Sequence, residues 1–175
     1  RIDLPYSNFA YQQTGTPWPV NQAVYVDYML YGLRGYKDIA AEEIQAIYRN
    51  NQEFSGHLNG NANWLAYTPG MLYAVAQNYL LSGDRESFEK ALPCTLMALD
   101  WTIGQVHGAS TEPGPMQGLV AGPLKERTGS CYWACNQADI YAGLEVFGKA
   151  LSRVWHPRAE ECRKTAEEFR ANVEQ

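Results

Sequence analysis

The sequence predicts an all-α protein with two layers of helix, an uncharged inner layer and a charged outer one. Apolar residues recur at steps of three and four rather than in alternation. Uncharged stretches are each followed, across a short turn, by a densely charged stretch, and this pairing occurs three times in 175 residues. A helix that is apolar all round must be covered on every side, whereas a helix with one apolar stripe covers a core and faces water. The pairs therefore read as antiparallel helical hairpins, at about 21–49, 70–105 and 132–174 of a single domain covering 1–175.

The first pair begins with NQAVYVDYMLYGL (21–33), whose single charge is Asp27. A buried Asp needs a partner, so Asp27 reads as a structural hydrogen-bonding group. After a break at Gly35, KDIAAEEIQAIYR (37–49) sets Lys37, Asp38, Glu42, Glu43 and Arg49 against a stripe of Ile39, Ile44, Ile47 and Tyr48. The second pair begins with GMLYAVAQNYLLS (70–82), which has no charge. Gly83 and Asp84 make its turn, with Asp84 as N-cap. The next helix carries Phe88, Leu92, Leu96, Leu99 and Ile103, and Pro93 within it predicts a kink or restart. His107 is expected to follow it. The third pair runs from YWACNQADIYAGLEVFGKAL (132–151), with Ile140, Leu144, Phe147, Leu151 and Val154 on one stripe, through the His156–Pro157 turn. It ends in a charged helix whose Ala159, Cys162, Ala166, Phe169 and Val173 make a one-sided face.

Composition narrows the function classes. A net charge of −5 gives no electrostatic footprint for nucleic acid or an anionic membrane. No run approaches the roughly 18–20 apolar residues of a membrane span. The chain begins at Arg1 and carries no signal-peptide pattern, which fits a mature form, a trimmed chain or a piece of a longer one. Cys94, Cys131, Cys135 and Cys162 read as buried free thiols, since a lone CxxxC spacing is weak support for a metal site. Three scattered histidines add none, so neither metal nor cofactor is expected.

The turns at Gly35, Gly83 and His156 are 48 and 73 residues apart, too irregular for a tetratricopeptide array of about 34. The extra length lies in connections 50–69 and 104–131, and long connections without periodic structure are usually functional. Trp18, Trp64 and Trp133 each stand just before or at the start of an inner helix. Hairpins set side by side in one orientation would gather them at one end, with Tyr11, Tyr67 and Tyr132. Flat rings stack on the C–H faces of sugars, and amides bond to hydroxyls. Asn21, His57, Asn63, Asn136 and Gln137 supply such groups in the same segments. The plainer alternative is that these aromatics plug the ends of a bundle.

Residues 67–103, GLVAGPL (118–124) and 131–151, together with PWPVNQAVYVDYMLYGLRGYKDIAAE (17–42), resemble the six-hairpin glycosidases, whose fold is an (α/α)6 toroid. The resemblance implies a carbohydrate substrate, held by the loops leading into the inner helices. It favours a secreted or periplasmic setting. Only three hairpins are counted, so the remaining ones are expected in a larger parent chain or, failing that, in a second copy. Glycoside hydrolysis generally uses two carboxyl groups across the scissile bond. The candidates are Glu112 in the long second connection, Glu126 flanked by Lys125 and Arg127, and Asp139 one turn into the third inner helix. Solvated loop carboxylates, a surface ion pair and a helix-dipole contact are the structural alternatives for the three. Relatives of the third hairpin often carry an acidic residue where this chain has Gln137, which counts against catalysis by that hairpin. A non-catalytic helical domain that binds a glycan or a protein is the competing reading.

Overall fold

The computed structural model describes residues 31–58, 65–122 and 130–175. Among them are five helices: α1 (Lys37–Asn51), α2 (Tyr67–Ser82), α3 (Arg85–Thr111), α4 (Ala134–Arg153) and α5 (Ala159–Val173). The described residues form no strand, only isolated bridges Gln52–Leu58 and Gly122–Cys131. No helix among them is long and apolar enough to cross a membrane. Most of the first inner segment, 21–33, lies outside the described residues, as do Trp18, Asn21, Asp27, Asn63, Trp64 and Glu126.

The turn residues act locally as their chemistry dictates. Gly35 breaks the chain before α1 at φ +87, and Tyr36 N–H bonds back to the Tyr31 carbonyl at 2.8 Å. Gly83 closes α2 in the left-handed conformation, φ 71, where a side chain would be strained. One residue later the Asp84 carboxylate caps α3, accepting from the Ser87 N–H at 3.1 Å and the Ser87 hydroxyl at 2.9 Å. That backbone bond is the main reason the Asp84 carboxyl is held below its ordinary value. The α4–α5 turn closes with the His156 N–H on the Leu151 carbonyl at 3.0 Å. Here Trp155 takes the positive φ of 59 and stays 89% exposed.

Helix directions follow from contacts along their length. A Cβ on Gly143 of α4 would fall on the Pro69 carbonyl of α2, and eleven residues later along α2, Leu80 O accepts from Arg153 of α4 at 3.4 Å. These contacts join residues 74 and 73 apart in sequence, so α2 and α4 run side by side in the same direction. α3 packs on α2 and α5 packs on α4, each running the opposite way. At the start of α5, Arg158 is ion-paired with Asp100 of α3; at its end, Asn172 packs on Gly118, which bonds back to Ala109 of α3. α1 shares their direction. Lys37 lies 3.7 Å from Asp84, and Gln52, just past the end of α1, donates to the Cys94 carbonyl at 2.7 Å. One end of the molecule thus collects the tight turns. The other collects the N-termini of α2 and α4 with the C-termini of α3 and α5.

Burial separates the helices. From Tyr67 to Tyr79, α2 is buried except at Tyr73 and Gln77, as its lack of charge requires. α5 buries only Cys162, Thr165, Ala166 and Phe169. The centre is Phe147, Met71, Leu72, Leu99, Leu144, Leu151 and Phe169, each 0% exposed. Full burial of such side chains contributes about 1.5–3 kcal/mol apiece. Tyr79, Phe88 and Phe147 link α2, α3 and α4, with centroids 4.6 and 6.0 Å apart.

Several expectations need correction. Glu43 is not on an outer face: it is 1% exposed and engaged, because it shares a stripe with Ala40, Ile44 and Ile47 that faces inward. α3 does not restart at Pro93; it is one helix of 27 residues. Pro93 sits on its exposed face, where the carbonyl it frees can reach water. α3 also runs on to Thr111, so His107 lies within it and the second long connection shrinks to 112–133. The cysteines are free but not all buried: Cys162 is buried, Cys94 half-buried, and Cys131 and Cys135 exposed. Cys131 precedes α4, and Cys135 lies in its first turn.

Candidate functional site at the entrance of α2 and α4

The approaches to α2 and α4 are joined through the 120–122 segment, while α4 itself begins about two turns before the level of the α2 start. Gly122 exchanges backbone hydrogen bonds with Cys131 at 3.0 and 3.2 Å, pinning the strand-like approach to α4. A Cβ on Gly122 would meet Leu65 Cβ at 2.8 Å, so the same segment presses on the approach to α2. Val120 is 3% exposed, held by both ends of the Gln137 side chain. Its N–H donates to Gln137 Oε1 at 3.0 Å, and its carbonyl accepts from Nε2 at 2.8 Å.

That clamp reassigns Gln137. The sequence reading placed it among ligand-binding groups, but its amide is fully committed, with Nε2 also donating to the Trp133 carbonyl at 3.2 Å. A carboxylate in its place could accept from Val120 N–H but could not donate to either carbonyl. Gln137 therefore fastens the loop that shapes the entrance.

Trp133 and Asn136 behave differently. Trp133 is half-buried and occupies the N-cap position of α4 in extended backbone, with no side-chain cap. Its indole Nε1 is buried and makes no hydrogen bond. Asn136, in the first turn, is 1% exposed, and its Nδ2 likewise has no partner. Its carbonyl oxygen has only a long contact, 4.0 Å, to the Cys135 thiol. Buried donors without partners cost about 1–3 kcal/mol each, so an arrangement holding two calls for an explanation. The exposed ring of Tyr132 stands next in the chain.

Other expected site residues sit deeper or further out. Tyr67, the first residue of α2, is 5% exposed and engaged, so its ring is part of the core rather than a stacking platform. His57 is 9% exposed and stacks on Trp101 of α3, centroids 4.6 Å apart and planes 26° apart. Burial lowers its pKa, only partly opposed by Glu53 at 3.8 Å. It braces the 52–58 segment on α3, where Gly56 passes so close to the Met97 backbone that no Cβ fits. Of the carboxylates, Glu112 caps the C-terminal end of α3 and is exposed. Asp139 is half-buried in the second turn of α4 and engaged. Both belong to helix ends at the entrance side. Sequence reasoning missed Val120 and Gly122, which build the entrance through backbone contacts. The Gly-Pro signature of the 118–124 stretch was the available cue.

Among the described residues, no group of three or more His, Cys, Asp or Glu side chains is placed to hold a metal. No family model matches the sequence, no curated protein matches it, and no solved structure matches the fold.

Proposed function

We propose that this chain is part of a six-hairpin glycosidase-like domain and binds a glycan at the shared entrance of α2 and α4. The inner and outer layers then form an incomplete (α/α) toroid. The remaining hairpins come from a longer parent chain or, failing that, from a second copy. The observation that carries the reading is the parallel packing of α2 and α4, whose approaches both touch the 120–122 segment, with a half-buried indole and a buried amide donor at the start of α4. Indole rings stack on sugar C–H faces, and amide N–H groups donate to sugar oxygens.

Glu112 and Asp139, both described at this pole, and Glu126 are the candidates for the hydrolytic pair. An acid would protonate the leaving oxygen while a second carboxylate activates water or attacks carbon. The exposure of Glu112 and the structural commitment of Gln137 favour, as a second reading, a domain that binds glycans without cleaving them.

The test is calorimetric titration of the whole chain with oligosaccharide panels, paired with an assay for new reducing ends. Saturable binding that weakens in Trp133→Ala, with the melting temperature held, supports the site. Binding without reducing ends selects the non-catalytic reading. Absence of binding to every panel member refutes the proposal.

A further inference from the structure

The start of α4 carries several donors without a partner. A helix begins with N–H groups that have no partner within it. The first turn-closing bond of α4 runs from Gln137 N–H to the Trp133 carbonyl, 3.2 Å, leaving the N–H groups of Ala134, Cys135 and Asn136 ahead of it. No side chain caps them, and no acidic residue lies in the first turn. The same turn carries two side-chain donors, Asn136 Nδ2 and Trp133 Nε1, both buried and both without an acceptor. α3 shows the contrast, since its N-terminus is capped by Asp84.

Uncapped N–H groups and the positive end of a helix dipole favour an anion. The two side-chain donors point to the same chemistry independently, because a neutral hydroxyl would leave part of this donor set unanswered. We propose that the α4 entrance receives an anionic group of the ligand, so that the ligand is an acidic glycan whose charge is a carboxylate or a sulfate. This rests on the glycan reading above and narrows it. The chain's net charge of −5 supplies no long-range attraction, so recognition is local and made by donors. Asp139, one turn further along, is engaged.

The test compares three oligosaccharides of equal length by calorimetry on the full chain: a neutral glucan, its glucuronate counterpart and a sulfated counterpart. An acidic ligand should bind about threefold to thirtyfold more tightly than the neutral one, with the preference falling as salt rises. Which acidic ligand gains identifies the charged group. Trp133→Phe keeps a ring but loses the indole donor, and Asn136→Leu keeps the volume but loses the amide. Neither removes an existing bond from Trp133 Nε1 or Asn136 Nδ2, so both variants should fold, and in both the acidic-to-neutral ratio should fall toward one. Equal affinity for acidic and neutral ligands overturns the anion assignment and leaves the glycan reading standing, as does a preference that survives both variants. If no glycan binds, the glycan reading fails. Titration with acetate and sulfate then decides the anion site alone: a saturable shift abolished by Asn136→Leu upholds it, and no shift overturns it.

Discussion

Gly143→Ala should destabilise the protein, although helix propensity alone says the reverse. Replacing a mid-helix glycine by alanine gains about 0.8–1 kcal/mol where the side chain meets nothing. At Gly143 a Cβ would fall on the Pro69 carbonyl oxygen, with the carbonyl carbon at 3.0 Å and Pro69 Cβ at 3.1 Å. Those atoms belong to the backbone and ring of α2, so relief requires the helices to separate. Overpacking of this kind costs about 1–3 kcal/mol, leaving a net loss of up to about 2 kcal/mol once the propensity gain is subtracted. The control is Gly108→Ala in α3, where nothing lies within 4 Å. It should gain about 0.5–1 kcal/mol. Urea titration measures both. For a chain of this size, melting should fall by up to about 8 °C in the first variant and rise by about 1–4 °C in the second. If Gly143→Ala is stabilised as much as Gly108→Ala, α2 and α4 do not touch there, and the shared entrance loses its basis.

Gln137→Ala should cost about 2–4 kcal/mol by chemical denaturation, since it strands both backbone groups of buried Val120; a loss under 0.5 kcal/mol would show that the clamp is not formed. Asp84→Ala should cost about 1 kcal/mol at neutral pH through loss of the α3 cap. Because the folded-state pKa of Asp84 is depressed, its stabilisation is present above the unfolded value near 3.8 and fades as pH falls below it. The variant's stability deficit should therefore shrink in that acidic window, and a deficit unchanged down to pH 2 would contradict the assignment. Burial pushes the Cys162 thiol up to about 12, so it should resist alkylation at pH 8 until the protein unfolds. Cys131 and Cys135, being exposed, should label in the native state, and mass spectrometry of the peptides separates these cases.

Helix identity was legible because it depends on periodicity and local turn chemistry. Gly83 and Asp84 are the clearest case: a left-handed stop and a side-chain cap follow from two adjacent residues. The uncharged 70–82 stretch likewise announced its own burial. What periodicity misses is the number of neighbours. Glu43 looked polar on a one-stripe helix, but α1 packs on both α2 and α3, which widens its covered face. The second hairpin was expected to end near 105, with His107 beyond it, yet buried Val106 keeps the helix docked and it runs on to Thr111. At the entrance, residue types were legible and depth was not. Tyr67, His57 and Gln137 had the right chemistry for a ligand, and packing used all three. Asn136 and Trp133 were legible as polar and aromatic, but only coordinates could reveal that their donors have nothing to bond.

The turn between α4 and α5 has an optical consequence. Trp155 projects into solvent, while Trp101 and Trp133 are partly enclosed. Among the described tryptophans its emission should lie to the red and be the component most accessible to iodide, masking smaller changes at Trp133. A Trp155→Phe background would remove that glare, and titrations followed by light would then report on the end of the molecule where binding is expected.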